Sequence, residues 1–366
     1  MRFLLFAALL LLIASPVRAQ NLPLDERSGD VVIGEFRFED GSVLPQLKLH
    51  YVTLGEPARD ANGRIVNAVL LLHDTIASSR AFLTAEMRRE LFAPGAPLDA
   101  TRYYIVIPDA IGHGASGKPS DGMRMDFPPY GYGDMVEAQY RLVTEGLHIA
   151  HLRLVLGTAM GGMHAWLWGE RHPAMMDALM PVASLPVAIA GRNAFWRRMI
   201  VAAIRRDPDW NDGRYTEPPI SWLRAMPVFT LMTENPARMN ELARDDEHAA
   251  WYYDASVYRA RGLDANDTLY AFDASRDYDP EPDLARIESH VLAVTFADDL
   301  TTPDDLGAMQ RVLPRIAHAR HVEVPESEHT YGTESIAHPA LWKRYIDELL
   351  KSAPPRAAVD SSRQQE

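Results

Sequence analysis

The chain has 366 residues with 37 basic and 50 acidic side chains, a formal net charge of −13. This acidic balance argues against nucleic acid and anionic membranes as partners, because both select basic patches. The chain contains no cysteine, which excludes disulfides, thiolate metal sites and a cysteine nucleophile. Hydrophobic residues make up 47% of the chain, which is enough for one large core, with or without an insertion.

The N-terminal segment has the pattern of an export signal. MRFLLFAALLLLIASPVRAQ places Arg2 before an apolar run and ends in the small-x-small sequence Val17-Arg18-Ala19. The run is shorter than the roughly 18 to 20 apolar residues that cross a bilayer, so a retained anchor is the weaker alternative. We predict that residues 1–19 are a signal peptide cleaved before Gln20, and that the mature protein is periplasmic or secreted with no membrane partner.

Strands and helices alternate through the first half of the mature chain. Residues 31–39 and 46–54 alternate polar and apolar side chains, which predicts a leading hairpin. Apolar strands at 68–72, 103–107 and 152–156 follow, with helical stretches from about residue 80, near 135–147 and from the turn at Gly157 toward His172. Continuous apolar strands alternating with helices predict a mostly parallel sheet covered by helices on both faces.

The pattern changes in the second half of the chain. Between Leu185 and about Arg286 the segments are helical, rich in Trp, Met and Arg, and show no clear strand. The alternation then resumes with strands at 291–295 and 321–324, a helix from about residue 303 and a closing helix at 339–351. We therefore predict an α/β core of residues 20–185 and 286–351, a helical cap of residues 186–285 over the strand ends, and a disordered tail of residues 352–366.

A glycine-rich turn follows the strand at 152–156. The sequence Gly157-Thr158-Ala159-Met160-Gly161-Gly162 leads directly into a helix, the context of a nucleophile elbow. Glycine is required where backbone approaches backbone in such a strained turn. The residue between the glycines is Ala159, whose methyl group can neither attack a carbonyl nor exchange a proton, so Ala159 occupies the nucleophile position without supplying a nucleophile.

Three segments carry a resemblance to a known family. LVLGTAMGGMHAWLWGERHP, PLDATRYYIVIPDAIGHGASGKPSDG and GYGDMVEAQYRLVTEGL resemble the homoserine O-acetyltransferase-like branch of the α/β-hydrolases, in particular its exported bacterial members. The resemblance implies the α/β-hydrolase fold, a Ser-His-Asp triad acting through an acyl-enzyme, and no metal or organic cofactor. It also implies a small ligand with a carbonyl or ester group.

The resemblance also implies positions for the acid and the histidine of the triad, with an alternative for each. The acid precedes a proline by four residues, which selects Asp299 before Pro303, with Asp298 as the alternative. The histidine is expected in the loop PESEHTYGTE, where Tyr331 occupies the expected position and His329 lies two residues earlier. Tyr331 would be a poor general base at neutral pH because phenol has a reference pKa of roughly 10.

The oxyanion loop also departs from the family pattern. Strand 68–72 leads into His73 and Asp74 where a His-Gly pair is expected, so a carboxylate is placed near developing negative charge. The backbone N–H of Met160, the other expected donor, does not depend on its side chain.

Other residues are further candidates. Substitute hydroxyls exist at Thr158, Ser184 and Ser116, and His113 and His164 are expected to be structural. Six cap residues could line a pocket: Trp196, Arg197, Arg198, Trp222, Tyr252 and Tyr253.

The sequence leaves two classes of function open. Departures at Ala159, Tyr331 and Asp74 favour a naturally altered site, either a pseudoenzyme that binds a small ligand or an enzyme that needs no nucleophile. The alternative is a serine esterase or homoserine O-acetyltransferase-like enzyme with an inactivating Ser-to-Ala change at 159. Ordinary Ser-His-Asp catalysis is excluded in both cases, because removal of the nucleophile costs on the order of a millionfold in turnover.

Overall fold

A computed structural model describes residues 24–304 and 306–355. The predicted signal peptide and most of the predicted tail lie outside the described residues. Eight strands form one sheet in the order β1-β2-β4-β3-β5-β6-β7-β8. Their bounds are β1 Glu26–Arg37, β2 Val43–Leu54, β3 Ala68–Leu72, β4 Tyr104–Pro108, β5 Leu152–Thr158, β6 Met176–Val182, β7 His290–Phe296 and β8 Ala319–Val324.

The sheet is parallel except at one edge. Strand β2 pairs antiparallel with both β1 and β4, which confirms the leading hairpin, and the five remaining pairings are parallel. All five residues of β3 and all seven of β6 are buried. Helices therefore cover both faces of the central strands, which explains their continuous apolar sequences. The predicted α/β-hydrolase fold, a mostly parallel sheet flanked by helices, is confirmed.

The α-helices follow the strands in the order that the sequence indicates. They are α1 Ala85–Met87, α2 Tyr132–Arg141, α3 Met160–Arg171, α4 Gly191–Arg205, α5 Ile220–Ala225, α6 Pro227–Thr233, α7 Pro236–Leu242, α8 Asp246–Ala260, α9 Ala265–Asp273, α10 Ala308–Val312 and α11 Arg344–Ser352. Between β6 and β7 every described element is helical. This stretch contains the segment predicted as a helical cap, which lies after a central strand and therefore over the carboxyl edge of the sheet.

Strand β6 was not predicted from the sequence. Its residues, MDALMPV, include Asp177 and Pro181, which argue against a central strand. Asp177 is tolerated because His151 and Arg153 contact its carboxylate at 2.8 Å and 3.0 Å. Arg153 also donates to the carbonyl oxygens of Leu350 and Ala353, so the same cluster fixes the end of α11.

Two helical predictions need correction. The stretch from about residue 80 is not one regular helix: 3₁₀ turns at Ser79–Leu83 precede the short α1, and a π-helical turn at Arg88–Phe92 follows it. The helix expected from about residue 303 begins at Ala308, after Gly307 at a φ of 64°. Within residues 24–304 and 306–355, no helix combines the length and apolarity that a membrane span requires.

Candidate functional site

Ala159 lies at a sharp turn between β5 and α3. Its φ of 49° and ψ of −109° place a non-glycine residue in a strained conformation. The turn is tight: a Cβ at Gly157 would lie 1.9 Å from the Gly161 carbonyl oxygen, and one at Gly161 would lie 2.0 Å from the Leu72 carbonyl oxygen. The glycines are thus required by backbone contact, and the turn presents the residue at its apex, here Ala159, to the carboxyl edge of the sheet.

One backbone donor and a buried histidine lie near this apex. Met160 is the first residue of α3, so its N–H has no partner within the helix and lies at the positive end of the helix dipole. His73 follows β3 and is 2% exposed. Its Nε2 accepts a hydrogen bond from the Ala110 N–H at 3.1 Å, so the proton sits on Nδ1, which lies 2.8 Å from the Asp74 carbonyl oxygen. Burial, reinforced by nearby His113, lowers the pKa of His73 to about 4, so the ring is neutral and structural.

A cavity of about 260 Å³ lies directly over Ala159. Asp74 lines it, which places the predicted carboxylate in the site itself. Burial raises the pKa of Asp74, and the Ile76 N–H donates to its Oδ1 at 3.2 Å. The lining residues include Asp74, Ala159, Trp196, Arg197, Thr301, Thr333 and Glu334. We call this space the Ala159 cavity.

The two acid candidates have different partners. Asp299 accepts from the Thr301 N–H at 2.8 Å, the Thr301 hydroxyl at 2.7 Å and the Thr302 hydroxyl at 2.6 Å, and its Oδ1 also accepts from the Thr333 hydroxyl. Asp298 accepts from the Gly332 N–H at 2.9 Å and from the side-chain amide of Asn235. Hydroxyl and backbone donors therefore occupy the acceptor positions of the Asp299 carboxylate.

The structure places neither base candidate against these acids. The His329 side chain is 75% exposed beside Glu328, so it faces solvent and not the cavity. The Tyr331 ring lies against the His338 ring at a tilt of 34°, with centroids 4.2 Å apart, and lines a larger neighbouring cleft. Thr333, two residues later, is the residue of this loop that reaches Asp299. Sequence reasoning missed it because the loop is irregular, and no periodicity fixes which side chain points inward.

Two further residues of the cavity carry charge. Arg197 on α4 is 7% exposed. It donates to the Asn193 side-chain oxygen at 2.7 Å and to the Ser275 hydroxyl at 3.3 Å, and its guanidinium lies over the rings of Trp196 and Phe272. Among the residues that the structure describes, no carboxylate lies within 4.0 Å of its guanidinium. Glu334 is exposed as a residue, but the protein packed around its carboxyl group raises its pKa to about 7. Asp74 makes a smaller contribution in the same direction.

The remaining candidates divide between the cavity and the rest of the molecule. Of the six cap residues, Trp196 and Arg197 line the Ala159 cavity and Tyr252 lines the larger cleft, whereas Trp222 is buried and Arg198 and Tyr253 are exposed. The hydroxyls that line the cavity belong to Thr75, Thr233, Thr301 and Thr333, so Thr158, Ser184 and Ser116 are not among them. His113 and His164 are buried; both ring nitrogens of His113 lie 2.8 Å from backbone carbonyl oxygens.

Comparison with known protein families matches residues 69–341 to a family described as the alpha/beta hydrolase family. The chain belongs to this family. The match begins within β3 and extends past Thr333, so it includes the Ala159 turn, the helical insertion between β6 and β7, and Asp298 and Asp299. The α/β-hydrolase assignment accounts for the sheet order and for the position of the helical insertion.

The similar proteins include homoserine O-acetyltransferases. One from Haloferax prahovense is 31% identical over 406 aligned positions, which cover 94% of this chain and 94% of that protein. One from Haloarcula marismortui is 33% identical over 213 positions, which cover 52% of this chain and only 50% of that relative. The crystal structure of homoserine O-acetyltransferase from Bacillus anthracis superposes with a TM-score of 0.77 at 20% identity, covering 92% of this chain and 99% of that one. This last similarity establishes a shared fold.

Proposed function

We propose that the chain binds a small amino acid, or its O-acyl ester, in the Ala159 cavity, and that it descends from acyltransferases or esterases whose covalent step Ala159 removes. The observation that carries the proposal is Arg197. Its guanidinium is 7% exposed and has hydrogen-bond and aromatic partners but no carboxylate partner among the described residues, so a ligand anion would supply the missing opposite charge. An α-carboxylate matches the planar donor fork of arginine.

The carboxyl groups in the cavity fit the ammonium group of such a ligand. Asp74 and Glu334 line the same space as Arg197, and carboxylates bind an ammonium group. A cavity with one guanidinium and two carboxyl groups therefore suits a zwitterion. Homoserine, which the names of the relatives include, is an amino acid with a side-chain hydroxyl and has this charge pattern.

The covalent step is the part that this sequence lacks. Acyl transfer through an acyl-enzyme needs a nucleophile at the elbow and a base beside it. Ala159 carries only a methyl group there. Loss of the nucleophile removes on the order of a millionfold in turnover, or roughly 8 kcal/mol of barrier lowering. The similarity to acetyltransferases favours an acyltransferase or esterase site that a Ser-to-Ala change at 159 has interrupted.

One observation favours a second candidate. Among the described residues, the donors to Asp299 are the hydroxyls of Thr301, Thr302 and Thr333 and one backbone N–H, and none is a histidine. A triad with both its nucleophile and its base changed is typical of a site that has lost covalent catalysis. The second candidate is therefore a ligand-binding pseudoenzyme, or an enzyme that moves a proton with Glu334.

Binding of L-homoserine and O-acetyl-L-homoserine, measured by isothermal titration calorimetry, tests the proposed ligand class. We expect Arg197→Gln to raise the Kd at least about tenfold, because a hydrogen bond to a charged group contributes roughly 1.5 to 3 kcal/mol. The matched control is Arg198→Gln, since Arg198 is exposed and neighbouring but does not line the cavity. Equal affinity in native protein and Arg197→Gln, or no binding of either compound at millimolar concentration, would contradict the proposal.

The pH dependence of binding gives an independent prediction. The pKa of Glu334 is raised to about 7, so its carboxyl group is neutral below pH 7 and negative above it. A ligand ammonium group binds the negative form more tightly, so affinity for homoserine should rise between pH 6 and pH 8. Glu334→Gln should flatten this rise, whereas Glu328→Gln, whose side chain is 88% exposed in the same loop, should leave it unchanged. A rise that persists in Glu334→Gln would assign the titration to another group.

A further inference from the structure

A second cleft lies away from the Ala159 cavity and shares no lining residue with it. Its volume is about 350 Å³. The first turn of α2, the last turn of α3 and the segment 277–286, which leads from the cap back to the core, form its walls. We call it the α2–α3 cleft.

The α2–α3 cleft carries an excess of negative charge. Five acidic side chains line it together with two arginines: Glu39, Glu170, Asp277, Asp279, Asp283, Arg171 and Arg286. Arg171 pairs with Glu39 at 2.7 Å, and Asp277 pairs with Arg276 outside the lining at 3.1 Å. In the part of the chain that the structure describes, no ion pair within 4.0 Å involves Glu170, Asp279 or Asp283. These three acids are left with Arg286 as their one unpaired positive neighbour in the wall.

Two buried polar atoms of the cleft have no hydrogen-bond partner among the described residues. Glu170 is 4% exposed, and its Oε1 makes no hydrogen bond within residues 24–304 and 306–355. The same is true of the hydroxyl of Tyr132, which is 2% exposed. A buried polar atom without a partner costs roughly 1 to 3 kcal/mol, so such atoms call for a ligand or ordered solvent. Burial, together with Asp283, raises the pKa of Glu170 to about 8.

The distribution of the acids decides what kind of cation fits. No group of three or more acids or histidines among the described residues converges closely enough to hold a metal ion. Separated carboxylates around a space of about 350 Å³ instead suit a cation with a carbon chain. Tyr132 and Tyr278 supply aromatic rings, which also attract ammonium groups.

We propose that the α2–α3 cleft binds a small organic diamine, with one ammonium group donating to Glu170 and the other to Asp279 and Asp283. Binding places a positive charge beside Glu170, which favours its ionised form. Complex formation at pH 7 should therefore release a proton, because free Glu170 is largely protonated at that pH.

Isothermal titration calorimetry of the full chain with 1,4-diaminobutane tests this site. We expect binding that butan-1-ol does not reproduce, and a heat that depends on the ionisation enthalpy of the buffer. Glu170→Gln should raise the Kd at least about tenfold, consistent with the loss of a charged hydrogen bond. The matched control is Glu137→Gln, since Glu137 on α2 is half-buried and has a pKa raised by burial but does not line the cleft.

Asp283→Asn is the companion variant. Asp283 is exposed, so its substitution leaves folding intact, and it should also weaken diamine binding. Unchanged affinity in both Glu170→Gln and Asp283→Asn would overturn the proposal. So would a response to calcium chloride in the absence of any response to diamine. Because Arg197 and Glu334 lie outside this cleft, failure here leaves homoserine binding unaffected.

Discussion

Purified protein of this sequence is expected to form no adduct with a fluorophosphonate probe and to hydrolyse activated aryl esters no faster than a heat-treated control. Those reagents report an activated hydroxyl, and the apex of the turn after β5 carries the methyl group of Ala159. We expect Ala159→Ser alone to recover little of the lost millionfold, because the donors to Asp299 are threonines and a backbone N–H. Ala159→Ser combined with Thr333→His should label faster than either single variant.

The same series separates the two candidate functions. Strong labelling of Ala159→Ser alone would show that a base and an oxyanion site already surround position 159, and would assign the chain to the interrupted acyltransferases. The control is Ala77→Ser, which adds a hydroxyl to the wall of the same cavity but not at the turn apex. Strong labelling of the unmodified sequence would contradict both candidates and direct attention to the threonine hydroxyls that line the cavity, those of Thr75, Thr233, Thr301 and Thr333.

Gly161→Ala is expected to lower the free energy of unfolding by about 3 kcal/mol or more. The added methyl group would lie 2.0 Å from the carbonyl oxygen of Leu72, and this contact is with backbone, which cannot rotate away. Denaturant titration followed by circular dichroism measures the loss. Gly34→Ala is the control, because no atom in the described part of the chain lies within 4 Å of its Cβ position. Comparable losses in both variants would mean that the tight packing of β3 against α3 is not the cause.

Sequence patterns predicted the sheet and the Ala159 turn because both depend on repeating constraints. Buried parallel strands need continuous apolar residues, and the backbone contacts at Gly157 and Gly161 admit only glycine. Strand β6 was not predicted because Asp177 interrupts its apolar pattern. The ion pairs that stabilise Asp177 come from residues more than twenty positions away in the sequence.

The polar parts of the site were harder to predict. His329 and Thr333 lie four residues apart in an irregular loop, where neither helical nor strand periodicity sets side-chain direction. Arg197 could be named as one of six cap candidates, but that no described carboxylate pairs with it depends on how α4 packs over the sheet. The raised pKa of Glu334 likewise depends on tertiary packing: burial by the surrounding protein is the main cause, and Asp74, about 260 positions earlier in the sequence, adds a smaller contribution.

The hydrogen bonds of Asp298 limit how caps can be exchanged between relatives. One carboxylate accepts from Asn235, which caps α7 inside the insertion, and from the Gly332 N–H in the loop that also contains Thr333. A Cβ at Gly332 would lie 2.8 Å from the Thr233 carbonyl oxygen, so the loop and the insertion are also in direct contact. A chimera that transplants residues 186–285 alone would leave Asp298 with a foreign partner. Functional grafts should therefore carry the 298–302 and 330–334 segments along with the cap.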